Sequence, residues 1–332
     1  MSGNVLITGA SGFVGSHVVA EAFRQGYKVF VTVRSSSNIA HLEPYRVTSL
    51  RTDFTDVEQL RQLLAENHIE YIAHIAGATR ARDLGAFEKA NVEVTLNLAR
   101  AAVALGAQVK KFVFVSSLGA VGPATRYVEE GFTEAEPASP VTFYGQSKLR
   151  AEQAIQALPD LPYIILRPTA VYGPREKDLL KVIKGVKSGL ETYIGRGKQR
   201  LTFVYGPDLA RLIVDAFKSP VTREAFNITD GRYYNKYSFA EAIKKTLRNK
   251  SVKLHIPLLA VQTVAYGMEC LYRWKLTKEL PVLTRNRLNE LNAGDWGYNI
   301  EKAKQLLHFN PSFDLEKGME ETIKWYKENG WI

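Results

Sequence analysis

Over the first 170 residues, short β-branched apolar runs alternate with stretches of helical period. Residues 5–8, 28–33, 71–75, 111–116 and 163–166 read as strands, with a weaker one at 47–51. Between them the pattern predicts helices over 13–25, 57–66, 86–105 and 147–157. Alternation of this kind calls for an α/β fold, a parallel sheet covered on both faces with right-handed crossovers. After Pro168 the rhythm loosens and helices dominate, near 177–188, 208–217, 238–248, 258–273, 301–307 and 315–328. The chain therefore divides into residues 1–170 and a second lobe over 171–332. The two are interleaved, since a segment near 200–220, with Phe203-Val204-Tyr205, is expected to return to the first sheet.

Chemistry enters at the first strand–helix turn. Thr8-Gly9-Ala10-Ser11-Gly12-Phe13-Val14-Gly15 leaves a strand and opens a helix. Gly9 permits the tight turn, Gly12 lets the backbone approach a pyrophosphate, and Gly15 allows close helix–strand packing. The helix start offers free N–H groups and a positive dipole end to phosphates. A dinucleotide site for NAD wants a carboxylate at the end of the second strand. Here Thr32-Val33-Arg34-Ser35-Ser36 presents a guanidinium and hydroxyls. Arg34 with Ser35 suits a ribose 2′-phosphate, so NADP(H) is favoured and NAD(H) stays open. Asp53-Phe54 and Ala76-Gly77-Ala78 follow the third and fourth strands, where ligands of parallel sheets collect. Asp53 can accept from an adenine amino group. The plainer reading is helix capping, a task as natural for Asp56.

Tyr144-Gly145-Gln146-Ser147-Lys148 sets a phenol and an ammonium four residues apart, on one helical face. A nearby cation favours the phenolate of a group whose reference pKa is about 10, which fits it for proton transfer to a substrate oxygen. Ser116 and Ser117 end the fifth strand, where a hydroxyl can hold that oxygen near Tyr144.

Together these residues resemble the extended short-chain dehydrogenase/reductases, the NAD-dependent epimerase/dehydratase family. The resemblance runs on through His74-Ile75-Ala76-Gly77, Asn91-Val92, Leu166-Arg167-Pro168-Thr169-Ala170-Val171-Tyr172-Gly173-Pro174, Asp208-Leu209-Ala210 and Phe226-Asn227-Ile228-Thr229-Asp230-Gly231. It implies a Rossmann-like, doubly wound parallel sheet with a smaller, mostly helical C-terminal substrate lobe. It implies hydride transfer with Tyr144 as acid/base, Lys148 on the nicotinamide ribose and Ser117 on the substrate oxygen. Pro168 and Val171 would line the nicotinamide side of the pocket, and Asn91 would position a water or the backbone. The family often pairs as a homodimer through the helices corresponding to 86–105 and 147–157. Nucleotide-sugar members of this family carry an arginine where Leu201 stands, and Arg200, one position away, falls on the other side of an extended strand. Val33-Arg34-Ser35 instead resembles the dihydroflavonol-reductase-like branch, and Ser116-Ser117 through Val121-Gly122-Pro123 the 3β-hydroxysteroid-dehydrogenase-like one.

Composition narrows this further. The 332 residues are 45% hydrophobic and 23% charged, as in ordinary globular proteins. A single cysteine, Cys270, excludes an internal disulfide or a cysteine-rich metal site and points to a reducing, cytoplasmic setting. No signal segment precedes the first strand. The six histidines lack metal-ligand spacing, so no metal is expected. The net charge of +10 lies wholly beyond residue 170, where 28 Lys and Arg face 18 Asp and Glu. No nucleic-acid signature accompanies it. From Leu254 to Gly267 there is no formal charge, in a run too short to span a bilayer. That run reads as a buried helix, a wall of an apolar pocket or a patch resting on membrane. The expectation is an NADP(H)-dependent oxidoreductase of an apolar alcohol or ketone. Its rivals are a nucleotide-sugar epimerase or reductase and a non-catalytic dinucleotide-binding regulator.

Overall fold

The computed structural model describes every residue except 1, 35, 36, 125, 196, 197, 275–280, 282 and 283. Seven strands form one sheet, in the order Glu224–Ile228, Tyr163–Pro168, Lys111–Val115, Tyr71–His74, Asn4–Thr8, Lys28–Thr32, Thr48–Leu50. Every pairing in it is parallel. The chain starts at Asn4–Thr8, builds toward one edge, then crosses back to add Tyr71–His74 on the other side. The order reverses at that point, and ligands of open α/β sheets bind in the crevice beyond such strand ends.

The near-continuous apolar strands are explained by two buried faces. Val5 and Ile7 pack into one core with Val18, Val19, Leu209 and Ile213. Leu6, between them, joins the opposite core with Leu60, Leu98 and Ile155. The alternation repeats at Phe112/Val113 and Ile164/Ile165. Each such side chain contributes about 1.5–3 kcal/mol on burial.

Phe203–Tyr205 does form a strand, but it does not rejoin the first sheet as expected. It pairs in parallel with Ala170–Tyr172, as a separate two-stranded ribbon. The strand that rejoins is Glu224–Ile228, and the helix Gly206–Asp215 packs on Phe13–Arg24. Two further strands of the second lobe, Leu190–Ile194 and Val252–Ile256, escaped the apolar pattern. Glu191 interrupts the first of them, yet it is buried, 2.7 Å from Lys244 Nζ. The long helix expected at 86–105 is present and runs unbroken from Leu84 to Val103, with a wide π turn at Glu88–Glu93 between Leu84–Phe87 and Val94–Val103. No helix among the described residues is long and apolar enough to cross a membrane.

Candidate active site

The sheet's carboxyl edge gathers most of the sequence-predicted residues. Gly9 follows Thr8 with φ +72°, and a Cβ there would lie 2.8 Å from the Ala76 nitrogen. A Cβ on Gly15 would meet the Gly9 oxygen at 2.1 Å, so the helix approaches the turn this closely only because residue 15 is glycine. Gly12 is the exposed N-cap of Phe13–Arg24, and no side chain accepts from that helix start. The other α-helices that follow strands in this half carry Asp56, Asp83 or Thr142 as side-chain caps. The first turn, with Ser11, Phe13 and Val14 around it, is thus a glycine cradle whose donors fit an anionic pyrophosphate.

A buried hydrogen-bond chain holds the adjoining loops. The Thr95 hydroxyl donates to the Asn91 carbonyl at 2.6 Å. It therefore accepts from His74 Nε2–H at 2.8 Å, leaving Nδ1 to accept from Thr8 Oγ1, also at 2.8 Å. Thr8 Oγ1 accepts in turn from the backbone N–H of Ile75 and Ala76. Burial pulls the His74 imidazole down to about 3, so it is neutral and structural. Asn91 projects from the π turn and clamps Ala78 at both ends, accepting from its N–H at 2.7 Å and donating to its carbonyl at 3.0 Å. The expected role of Asn91 in positioning backbone is the one seen.

Arg34 is exposed just beyond Lys28–Thr32; Ser35 lies outside the described residues. Asp53 is exposed, with Oδ1 accepting from Thr55 N at 2.8 Å, which holds its carboxyl below the usual range. Asp56, not Asp53, caps the helix that follows. Phe54 packs against the core beneath, and its carbonyl accepts from Asn97 Nδ2 at 2.9 Å.

Thr142 caps the helix Phe143–Gln156, which sets Tyr144 in the first turn and Lys148 one turn deeper. Ser117 Oγ accepts from Gly119 N at 3.0 Å and lies beside the Tyr144 phenol. Burial pushes that phenol up to about 12, the Ser117 hydroxyl pulls against it, and the Glu290 carboxylate adds to it. Lys148 shares the helix face but turns elsewhere. Its Nζ donates to the Val115 carbonyl at 2.8 Å, lies 4.6 Å from the Phe114 ring centre, and faces Gly77. Burial draws the ammonium down to about 8, with Glu152 opposing. Lys148 thus makes its hydrogen bond to backbone, and burial, Ser117 and Glu290 are what act on the Tyr144 phenol. Ser116, the other serine, donates at 2.5 Å to the buried Glu152, which pairs with Arg167 at 2.6 Å. It is structural, and Ser117 is the hydroxyl that faces the site.

Above this group opens a cavity of about 1620 Å³. That exceeds the roughly 300–1,000 Å³ typical of small-molecule pockets. Ser117 and Tyr144 form its floor beside Pro168 and Val171, and Leu118, Leu179, Leu201 and Trp296 give it apolar wall. Leu201 takes the wall position, while Arg200 is turned out of it. The Arg200 guanidinium grips Asp295 at 2.8 and 2.9 Å between the rings of Tyr127 and Tyr233. The far wall includes a helix the sequence pattern left unassigned, Arg285–Asn292, which brings Asn286, Arg287 and Glu290. Asn286 Oδ1 accepts from Phe143 N at 2.9 Å, tying that helix to the start of the Tyr144 helix. Its only sequence signal is the cap at Thr284, since its polar composition hides the inward face.

Residues 5–229 match the NAD-dependent epimerase/dehydratase family, and the chain belongs to that family. It is accordingly an enzyme of the NAD(P)-dependent extended short-chain dehydrogenase/reductase type. The chain is 26% identical to the decarboxylating sterol-4-alpha-carboxylate 3-dehydrogenase of Candida albicans, over 98% of each chain. It is also 26% identical to the ceramide reductase of Caulobacter vibrioides, over 99% of this chain and 96% of that one. In fold it superposes on the UDP-glucose 4-epimerase of Thermotoga maritima with UDP-glucose, at a TM-score of 0.80 and 23% identity, covering 98% and 99% of the two chains.

Proposed function

We propose that this enzyme is an NADP(H)-dependent oxidoreductase interconverting a secondary alcohol and a ketone on an apolar small molecule. The observation that carries this reading is Leu201 on the cavity wall with Arg200 engaged elsewhere. A nucleotide sugar brings a diphosphate, and a leucine offers it no donor. The Candida relative acts on a sterol by its name, and the Caulobacter relative on a ceramide, both largely apolar.

The cofactor would lie with its pyrophosphate on the Gly9–Gly15 turn and Arg34 by its 2′-phosphate, and Asp53, Phe54 and Ala76–Ala78 would border the rest. Lys148, Pro168 and Val171 would meet its nicotinamide end. When bound, it supplies or takes the hydride. In ketone reduction Tyr144 gives its phenolic proton to the carbonyl oxygen, and Ser117 holds that oxygen by a hydrogen bond. The raised phenol keeps the proton in place at neutral pH until the oxygen gains charge. In alcohol oxidation Tyr144 must first lose that proton, so oxidation gains rate as pH rises.

A nucleotide-sugar epimerase is the second reading, favoured by Arg80, Arg82 and Arg287 on the same cavity. Arg80 and Arg82 are already paired with Asp178 and Asp83. Two titrations decide. NADPH is expected to bind more tightly than NADH, with the gap narrowed in Arg34→Ala; equal affinities remove the cofactor preference. Thermal stabilisation by sterol or aromatic ketones, but not by UDP- or dTDP-sugars, is expected; the reverse pattern selects the epimerase.

A further inference from the structure

The uncharged run beyond Leu254 is not the buried helix that was one of its readings. It forms the helix Leu258–Arg273, whose seam against the body is Val261 and Ala265, packed with Leu288. The opposite face carries Leu259, Val264, Leu271 and, just past the end, Trp274, at 75%, 57%, 42% and 69% exposure. A solvated helix keeps charge on its outer face. This one has its only charged residues, Glu269 and Arg273, in the last turn, and Glu269 belongs to the cavity wall. Exposed large apolar side chains are ordinarily scattered singly. Half of those in the described residues fall between Val252 and Trp274.

The surroundings are basic. Residues 171–290 hold 23 Lys and Arg against 11 Asp and Glu. Arg248, Lys250 and Lys253 are exposed on the segment that leads into the helix. An uncharged apolar face flanked by cations is the pattern of a helix lying in an anionic lipid interface. We propose that the outer face of Leu258–Arg273 docks on an anionic bilayer. A second copy of the chain fits less well, because a two-fold interface sets each patch against itself and would face these cations with their own equivalents. The same helix lends Glu269 and Tyr272 to the catalytic cavity. Docking would therefore set the cavity mouth at the lipid surface, a clause that rests on the apolar-substrate reading, whereas the docking itself does not.

The test is cosedimentation of the full chain with phosphatidylcholine vesicles, with and without phosphatidylserine, and without cofactor or substrate. Binding to the anionic vesicles alone, weakened by salt, is expected. Leu259→Glu with Leu271→Glu should abolish it, and Lys250→Glu with Lys253→Glu should weaken it several-fold. All four positions are exposed, and unchanged thermal melting of the variants confirms that they fold. Three outcomes overturn the proposal: no binding, equal binding to neutral vesicles, or a dimer in sedimentation equilibrium that Leu259→Glu dissociates. None of them bears on turnover of a water-soluble ketone, so the oxidoreductase reading stands or falls separately.

Discussion

The two walls of the active-site cleft are made in different ways. On the sheet side each position is set by backbone: a glycine where a Cβ would collide, a serine at a strand's end, an asparagine clamping a main chain through both its amide atoms. On the lobe side the wall is assembled from distant segments, Gln199–Phe203, Glu269–Tyr272 and Thr284–Leu291, and side chains alone define it. The charge is divided likewise, balanced over residues 1–170 and strongly basic beyond. On the proposed function, the chemical step would fall to the rigid sheet edge and substrate choice to the less constrained lobe.

The sharpest way to break this division is Tyr144→Phe. It removes one proton donor from the sheet edge and leaves the wall intact. Turnover should fall by about 10²- to 10⁴-fold, the usual share of general acid–base catalysis. Cofactor affinity, read by fluorescence titration, should hardly change. Turnover that survives would move the proton chemistry off the sheet edge.

Ion pairs give the next contrast. Arg167 and Glu152 are buried together beneath the site, with side chains 11% and 1% exposed. Glu152→Ala strands the guanidinium and should cost about 3–5 kcal/mol in urea unfolding. Adding Arg167→Met should recover much of it. Arg80–Asp178 on the cavity rim is 35% and 47% exposed, so Asp178→Ala should cost under about 1 kcal/mol. Equal losses would mean that the rim is as firmly built as the sheet.

The same division governs what could be read from the chain. Strand periodicity, the Gly9–Gly15 turn, Ser117 and the Tyr144–Lys148 spacing are local signals, because each depends on neighbours within a few residues. Leu201 was legible as an absence of charge, and the strand's two-residue period foretold that Arg200 would point away. Glu290 was not legible. It reaches the site on a polar helix whose inward face is defined only by packing across the cleft. The π turn at Asn91 was hidden as well, since one extra residue in a helical turn leaves the hydrophobic period almost unchanged. The direction of Lys148 depended on the Val115 carbonyl and the Phe114 ring, partners more than thirty residues away.

Glu290 supplies the finest test of how closely the two walls work together. Its carboxyl is held above the usual range by burial, with Arg287 pulling it back, and its charge raises Tyr144. Once ionised, it disfavours the phenolate that alcohol oxidation requires. Glu290→Gln removes that opposition, so the pH at half-maximal oxidation rate should move down, by about one unit or less. The mutated side chain lies on the lobe wall, so NADPH affinity should stay as it was. A profile that stays put, or shifts upward, would show that in solution the Arg285–Asn292 helix does not lean on the phenol. The lobe would then choose the substrate without tuning the proton that the sheet edge transfers.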